Sequence, residues 1–153
     1  MVIELAQYED LEKILEIQYL AFQAEAEEYN DFEIDPLQQT LHDLEEEFQK
    51  HKYLFLKAVE NGRIIGSIRG HIKGNTSYIG LTVVHPDFQG KGIGTKLIQT
   101  LESINMAPRY EINASIRCPQ NIRLYERLGF KRFKETQTEN NGFVFLEKTE
   151  TER

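Results

Sequence analysis

Apolar positions change period along the chain, and the changes mark its elements. VIELA (2–6) reads as a short opening strand. Leu11, Ile14, Leu15 and Phe22 then recur at helical spacing and predict a helix over roughly 8–25. After a stretch without an apolar stripe, Asp35-Pro36 predicts an N-cap with proline in the first helical position, and Gln38 stands where a capping box wants it. Leu37, Leu41, Leu44 and Phe48 carry that helix to about residue 50. The pattern then becomes strand-like. YLFLKAV (53–59) and RIIGSIRGHI (63–72) flank Glu60-Asn61-Gly62, a hairpin signal, and Lys73-Gly74-Asn75 turns the chain into SYIGLTVV (77–84). These three segments predict an antiparallel meander.

Helical spacing returns with Ile93, Leu97, Ile98, Leu101 and Ile104, ending before Pro108. YEINASI (110–116) is another strand. Pro119 opens a helix with Ile122, Leu124, Tyr125 and Leu128 as its apolar positions, and Gly129 is placed to end it at C′. FKRFKETQ (130–137) and FVFLEK (143–148) close the chain as a hairpin around Asn140-Asn141-Gly142. The order β-α-α-β-β-β-α-β-α-β-β predicts an α/β chain of the α+β kind: a mixed twisted sheet flanked by helices, in a single domain over 1–153.

Composition narrows the function classes. A chain of 153 residues with 40% hydrophobic side chains can bury a proper core. The formal net charge of −7 argues against a nucleic-acid surface, whose phosphates reward clustered Lys and Arg. It suits a cationic substrate, and equally suits solubility alone. Cys118 is the single cysteine, so no internal disulfide or thiolate metal cluster can form, and no metal site is expected. MVIELAQYED lacks the pattern of a signal peptide, and no apolar run approaches the ~20 residues of a membrane span. A cytoplasmic protein without a membrane partner is expected, with a homodimer as an allowed assembly.

The candidate chemistry sits in VHPDFQGKGIGTK (84–96), where Gly90, Gly92 and Gly94 stand just before a helix. Glycine there costs backbone entropy and adds no packing. Either the loop needs unusual dihedral angles, or something bulky and anionic approaches the backbone. The first N–H groups of a helix lack intrahelical partners, and the helix dipole favours negative charge beside them. Lys91 and Lys96 either add positive charge or are ordinary solvated helix residues. A P-loop is excluded because Thr95 stands where its second glycine must be. The dinucleotide fingerprint also lacks its last glycine at Thr95, although Glu111 lies about 20 residues on, as that fingerprint's acid would. Gln89-Gly90-Lys91-Gly92-Ile93-Gly94 satisfies a third pattern, Q-x-x-G-x-G, in full.

With that motif the chain resembles the GNAT superfamily of N-acetyltransferases over nearly its whole length. LTVVHPDFQGKGIGTKLI (81–98) is similar to the family's acetyl-CoA pyrophosphate motif, and NIRLYERLGF (121–130) to its second cofactor motif, Leu-Tyr, three residues, then Gly-Phe. The resemblance implies direct acetyl transfer from acetyl-CoA to a primary amine of a small molecule or peptide. It also implies a pantetheine arm lying between Thr82, Val83 and Val84 on one side and YEINASI on the other. A backbone N–H near Val83 or Val84 is then the expected oxyanion donor, while both valines also suit a plain strand core. Gln89, Gly90, Lys91, Gly92, Ile93, Gly94 and Thr95 are implied to hold the pyrophosphate.

Tyr125 matches the family tyrosine that can protonate the departing thiolate; a core-packed tyrosine is the bland alternative. The position seven before it, usually an asparagine that contacts the pantetheine, is Cys118 here. Asn121 either takes over that contact or only caps its helix, and Cys118 is expected to be a quiet thiol. The general base stays unassigned, because SYIGLTVV lacks the acid many members carry. Glu111, His71 and His85 are the side-chain candidates, a water chain is a further one, and His85 is more suited to shaping its turn. That missing acid motivates an alternative, a coenzyme-A-binding regulatory module with little catalysis; a near-miss nucleotide-binding loop is a third reading. Glu25, Glu27, Glu28, Asp31, Glu33 and Asp35, in the connection after the first helix, are either a solvated loop or an acidic lip that attracts a cationic amine.

Overall fold

In the computed structural model, which describes residues 1–50 and 53–149, helices alternate with strands as the pattern predicts. The strands are β1 (Val2–Leu5), β2 (Tyr53–Glu60), β3 (Arg63–Lys73), β4 (Thr76–Val84), β5 (Arg109–Ser115), β6 (Lys131–Gln137) and β7 (Gly142–Thr149). The helices are α1 (Leu11–Tyr29), a one-turn α2 (Asp35–Gln38), α3 (Leu41–Gln49), α4 (Ile93–Ile104) and α5 (Pro119–Arg127). Residues 51–52 and 150–153, which the single-domain expectation includes, lie outside the described residues.

One expected helix is two. The pattern predicts a continuous helix from Asp35 to about residue 50, but the chain extends at Gln39 and Thr40 between α2 and α3. Thr40 is the true cap: its side chain accepts from the Asp43 N–H, and Asp43 accepts from the Thr40 N–H. This capping box restarts the helix where Leu37 and Leu41 give an unbroken apolar spacing. Ile34, not Asp35, precedes α2 as its cap, and Gln38 reaches back to the Phe32 carbonyl instead of closing a box.

The sheet order is β1-β2-β3-β4-β5-β7-β6, antiparallel except where β4 meets β5. Helices α4 and α5 cover one face, where Leu97, Ile98 and Leu101 pack with Leu56, Ile68, Ile112 and Leu146. Helices α1 and α3 cover the other, where Leu11, Ile14, Leu15 and Leu44 pack on Phe55. Gly70 lets α4 lie close to β3, since a Cβ there would meet the Tyr78 carbonyl at 2.5 Å and Leu101 at 2.9 Å. Ile104, counted on the apolar stripe of α4 by its spacing, is exposed at the last position of the helix.

Two irregularities shape the middle of the sheet. The β3–β4 register shifts by one residue between Ile68↔Thr82 and Gly70↔Ile79, leaving an extra residue in β4 at Gly80–Leu81, opposite Arg69. Beyond that bulge β4 bends away. Its parallel pairing with β5 covers only Thr76↔Arg109, Ser77↔Tyr110 and Tyr78↔Glu111, while β5 stays paired with β7 through Ser115. The two central strands therefore part like a V, open toward the α4 N-terminus.

A buried ion pair ties α4 and α5 to the sheet at the closed end of the V, where Lys148 stands opposite Tyr110. The Lys148 ammonium on β7 lies 2.6 Å from Glu102 of α4, both almost fully buried. It also donates to the Leu128 carbonyl at the end of α5 and sits over the Phe130 ring. Removing one partner strands the other charge in the core, which costs about 3–5 kcal/mol, whereas replacing both with apolar residues is close to neutral. Glu102→Ala should lower unfolding free energy in urea by about 3 kcal/mol or more, and Glu102→Leu with Lys148→Met should recover most of it. A loss under about 1 kcal/mol in the single variant would show that the pair does not bind the layers together.

Candidate functional site

The V between β4 and β5 opens into a cleft of two connected halves, each about 590 Å³. One half runs along the end of β4 to the glycine-rich loop and the start of α4; the other lies between the α1–α2 connection, the β4 bulge, β5 and the β6–β7 turn. Phe22, Glu25, Thr82, Cys118, Asn121 and Tyr125 line both and form the waist.

The loop half gathers most of the residues singled out from the sequence. Thr82, Val83, Val84, Gln89, Gly90, Gly92, Ile93, Gly94, Thr95, Asn121 and Tyr125 all line it. Lys91 does not: it is exposed, with its ammonium over the Phe88 ring. Val83 is buried in the strand core, while Val84 is half-buried. The Gln89 side chain donates to the Val84 carbonyl and braces the loop on its strand. Arg127 and Gln120 also line this half and were not foreseen, since nothing in their spacing marks them; Glu28, one of the acidic-lip candidates, lines it too.

The three glycines divide into two kinds. Gly90 (φ +79°) and Gly92 (φ +80°) adopt left-handed backbone, which glycine alone takes cheaply, so their presence follows from loop geometry. Gly94 has no such need. It lies in the first turn of α4, lines the cleft, and a Cβ there would meet nothing nearer than Val84 Cγ2 at 4.0 Å. It leaves room in front of the first α4 N–H groups, which have no partners within the helix.

At the waist, Tyr125 is 7% exposed, and burial pushes its hydroxyl up to about 12, with Cys118 adding to the shift. It is therefore protonated near neutral pH and can donate a hydrogen bond or a proton. Asn121 lies inside the first turn of α5, whose cap position is Cys118, so it does not serve as the cap. The Cys118 thiol points at Glu25, 3.4 Å from Oε1. Burial, and then the Glu25 carboxylate, push this thiol up to about 12, which makes it a poor nucleophile.

The three base candidates lie elsewhere. Glu111 is on the closed end of the V, ion-paired with Arg109 at 2.8 Å. His85 shapes its turn: its Nδ1 accepts from the Asp87 N–H, and its Nε2 faces Arg63 at 3.2 Å. His71 does not line the cleft; it is stacked between Tyr53 and Tyr78 in an adjoining pocket of about 260 Å³ that shares Asp35, Pro36, Gly80 and Leu81 with the second half, and burial lowers its basicity. The first helix runs past its expected end to Tyr29, so Glu25, Glu27 and Glu28 of the acidic run stand on α1. Glu25, Asp31, Glu33 and Asp35 line the second half of the cleft and Glu28 the first, while Glu27 lines neither and accepts from Gln23. Arg117 sits among them, 3.0 Å from Asp31 and 3.7 Å from Glu25, with its guanidinium over the Tyr29 ring.

Residues 23–148 match the family model described as an acetyltransferase (GNAT) domain. The chain belongs to the GNAT acetyltransferase family. That membership removes the nucleotide-loop reading of the glycines. A curated relative, acetyltransferase ECA0875 of Pectobacterium atrosepticum, is 35% identical over 95 residues, 58% of this chain. The matched stretch spans 65% of that relative's length. Among solved structures, the ribosomal-protein-S18-alanine N-acetyltransferase of Escherichia coli superposes with TM-score 0.79 at 17% identity, covering 97% of this chain and 92% of its own. The PaiA N-acetyltransferase of Thermoplasma acidophilum, in complex with coenzyme A, gives 0.78 at 21% identity over 97% and 99%. At those identities the likeness establishes the GNAT fold.

The Cys118 environment gives a direct test of the waist geometry. Raising the thiol from 9.0 to about 12 cuts its thiolate fraction at pH 8 by about three orders of magnitude. Iodoacetamide should therefore modify Cys118 in the folded protein at least about tenfold more slowly than in urea, and Glu25→Gln should speed the folded reaction. Equal rates in folded and unfolded protein would mean that the thiol is not held against Glu25.

Proposed function

We propose that this protein is an N-acetyltransferase that moves an acetyl group directly from acetyl-CoA to a primary amine, with a small cationic molecule or a lysine-like peptide side chain as the acceptor. The observation that carries the proposal is the cleft itself. It joins a glycine-lined helix N-terminus to a protonated tyrosine through a gap between two central strands. In the family, acetyl-CoA is the acyl donor, and the PaiA relative holds coenzyme A.

On this reading the pyrophosphate lies against the N–H groups around Gly92, Ile93, Gly94 and Thr95, where the helix dipole favours negative charge. The pantetheine arm enters the V, where β4 past the bulge and the facing edge of β5 have left each other's backbone groups unpaired. Asn121, on the wall of that gap, contacts one of its amides. The thioester carbonyl comes beside Thr82, Val83 and Val84, where a backbone N–H stabilises the developing oxyanion. Tyr125 gives its proton to the departing thiolate. Lys91, outside the cleft lining, contributes charge at a distance.

The acceptor enters through the other half. Glu25, Asp31, Glu33 and Asp35 line it, and Arg117 offsets only part of their charge. A field of that sign attracts an ammonium group. The free thiol of Cys118 suits a reducing compartment, and a cytoplasmic location is part of the proposal.

Release of free coenzyme A thiol, measured with acetyl-CoA and a panel of polyamines, aminoglycosides and lysine peptides, separates this function from a coenzyme-A-binding regulatory module. Turnover with at least one cationic amine is expected. Tyr125→Phe should lower kcat about 100-fold with little change in acetyl-CoA affinity, since it removes a proton donor but little packing. Tight cofactor binding without thiol release from any amine would support the module instead, and full activity in Tyr125→Phe would remove the general-acid role.

A further inference from the structure

Direct transfer to an ammonium requires a group that takes a proton from it, and the three sequence candidates are outside the cleft. Among the described residues, Glu25 is the one carboxylate that lines both halves. It projects from α1 into the waist shared with Tyr125, Cys118 and Asn121. Its side chain is 11% exposed, Oε1 accepts from the Cys118 thiol, and Oε2 faces Arg117 at 3.7 Å. Arg117 belongs more closely to Asp31, at 3.0 Å, and donates to the Asn140 carbonyl at 2.6 Å, so Oε2 is not saturated by it.

We propose that Glu25 is the general base of the transfer: its carboxylate receives the acceptor's ammonium at the waist and takes a proton from it. The inference rests on the acetyl-transfer reading above and adds to it the residue that makes the nucleophile. The carboxylate removes one proton from the ammonium, and the freed amine lone pair forms the C–N bond at the thioester carbonyl. Collapse of the tetrahedral adduct breaks the C–S bond, and the departing sulfur takes the Tyr125 proton. The proton still on the new amide nitrogen returns to Tyr125, and the Glu25 proton leaves through the open acceptor half. The net reaction releases one proton for each ammonium acetylated.

The groups facing Glu25 give its charge a defined setting. Arg117 and Cys118 approach from the connection between β5 and α5, Tyr125 from α5, and Glu28 from α1 itself; Asp31 sits beyond Arg117, and β4 presents the uncharged Thr82. Arg117 offsets the Glu25–Asp31 pair without occupying the waist. The α1 helix thus supplies what β4 lacks, and the acid missing from SYIGLTVV is replaced from across the cleft.

The test is the pH profile of kcat/KM for wild type, Glu25→Gln and Glu25→Asp, using the best acceptor from the amine panel, with acetyl-CoA affinity measured alongside. Near pH 7 Glu25→Gln should fall about 100-fold, the usual contribution of a general base. The deficit should shrink to a few-fold near pH 10, where an aliphatic amine, with a pKa of about 10.4, is partly neutral in solution. Glu25→Asp should keep the wild-type pH limb at a lower height. A deficit equal at every pH, or none, would overturn the base role, because a structural defect does not depend on the acceptor's protonation. If Glu25→Gln does not fold, Glu25→Asp decides, and a limb moved to the amine's own pKa counts against the proposal. Absence of turnover in wild type with every amine would instead overturn the acetyltransferase reading, and the base role with it.

Discussion

The parting of β4 from β5 is the constraint on which the rest of the molecule depends. Two parallel strands at the centre of a sheet normally stay paired, because each ladder bond lost leaves buried backbone groups to satisfy. Here the pairing stops after Tyr78↔Glu111. The extra residue at Gly80–Leu81 turns β4 away, and the β5–β7 ladder holds β5 in place. The result is a gap with backbone on both walls, at the height where α4 begins and α5 passes. Tyr125, Asn121 and the glycine loop are functional candidates only because the gap brings them to one space.

Each helix at the gap is fixed by a different kind of force. Apolar packing of Leu97, Ile98 and Leu101 seats α4 on the sheet, with Gly70 allowing the close approach. A buried ammonium joins α4 to the end of α5 through Glu102 and the Leu128 carbonyl. Arg117 links the α1 end, the acidic connection and the β6–β7 turn through Glu25, Asp31 and the Asn140 carbonyl. Burial at the waist has a chemical consequence as well: it holds Tyr125 and Cys118 protonated, one useful as a donor, the other silenced as a nucleophile.

Local signals carried most of the architecture. Asn61-Gly62 and Gly129 adopt the left-handed conformations their types suggest, and the hairpin and helix end fall where they predict. The break between α2 and α3 was hidden because Leu37 and Leu41 preserve helical spacing across it, although Thr40 with Asp43 was a legible restart signal. The glycine motif was legible as a pattern but not in its causes, since only the backbone angles separate Gly90 and Gly92 from Gly94. Glu25 could not be found from spacing. It is far in sequence from Cys118 and Arg117, and the fold alone brings the three together.

The central claim is that the gap and the start of α4 together seat coenzyme A, and Gly94 is its most exposed point. The backbone there is not left-handed, an added Cβ meets nothing nearer than Val84 Cγ2 at 4.0 Å, and valine is not a worse helix former than glycine. The decisive measurement is therefore the coenzyme A dissociation constant of Gly94→Val against wild type by calorimetry, with thermal unfolding as the control. The account predicts affinity weakened by about tenfold or more, roughly 1.4 kcal/mol, in a variant that unfolds at the wild-type temperature. Unchanged affinity in that folded variant would contradict it.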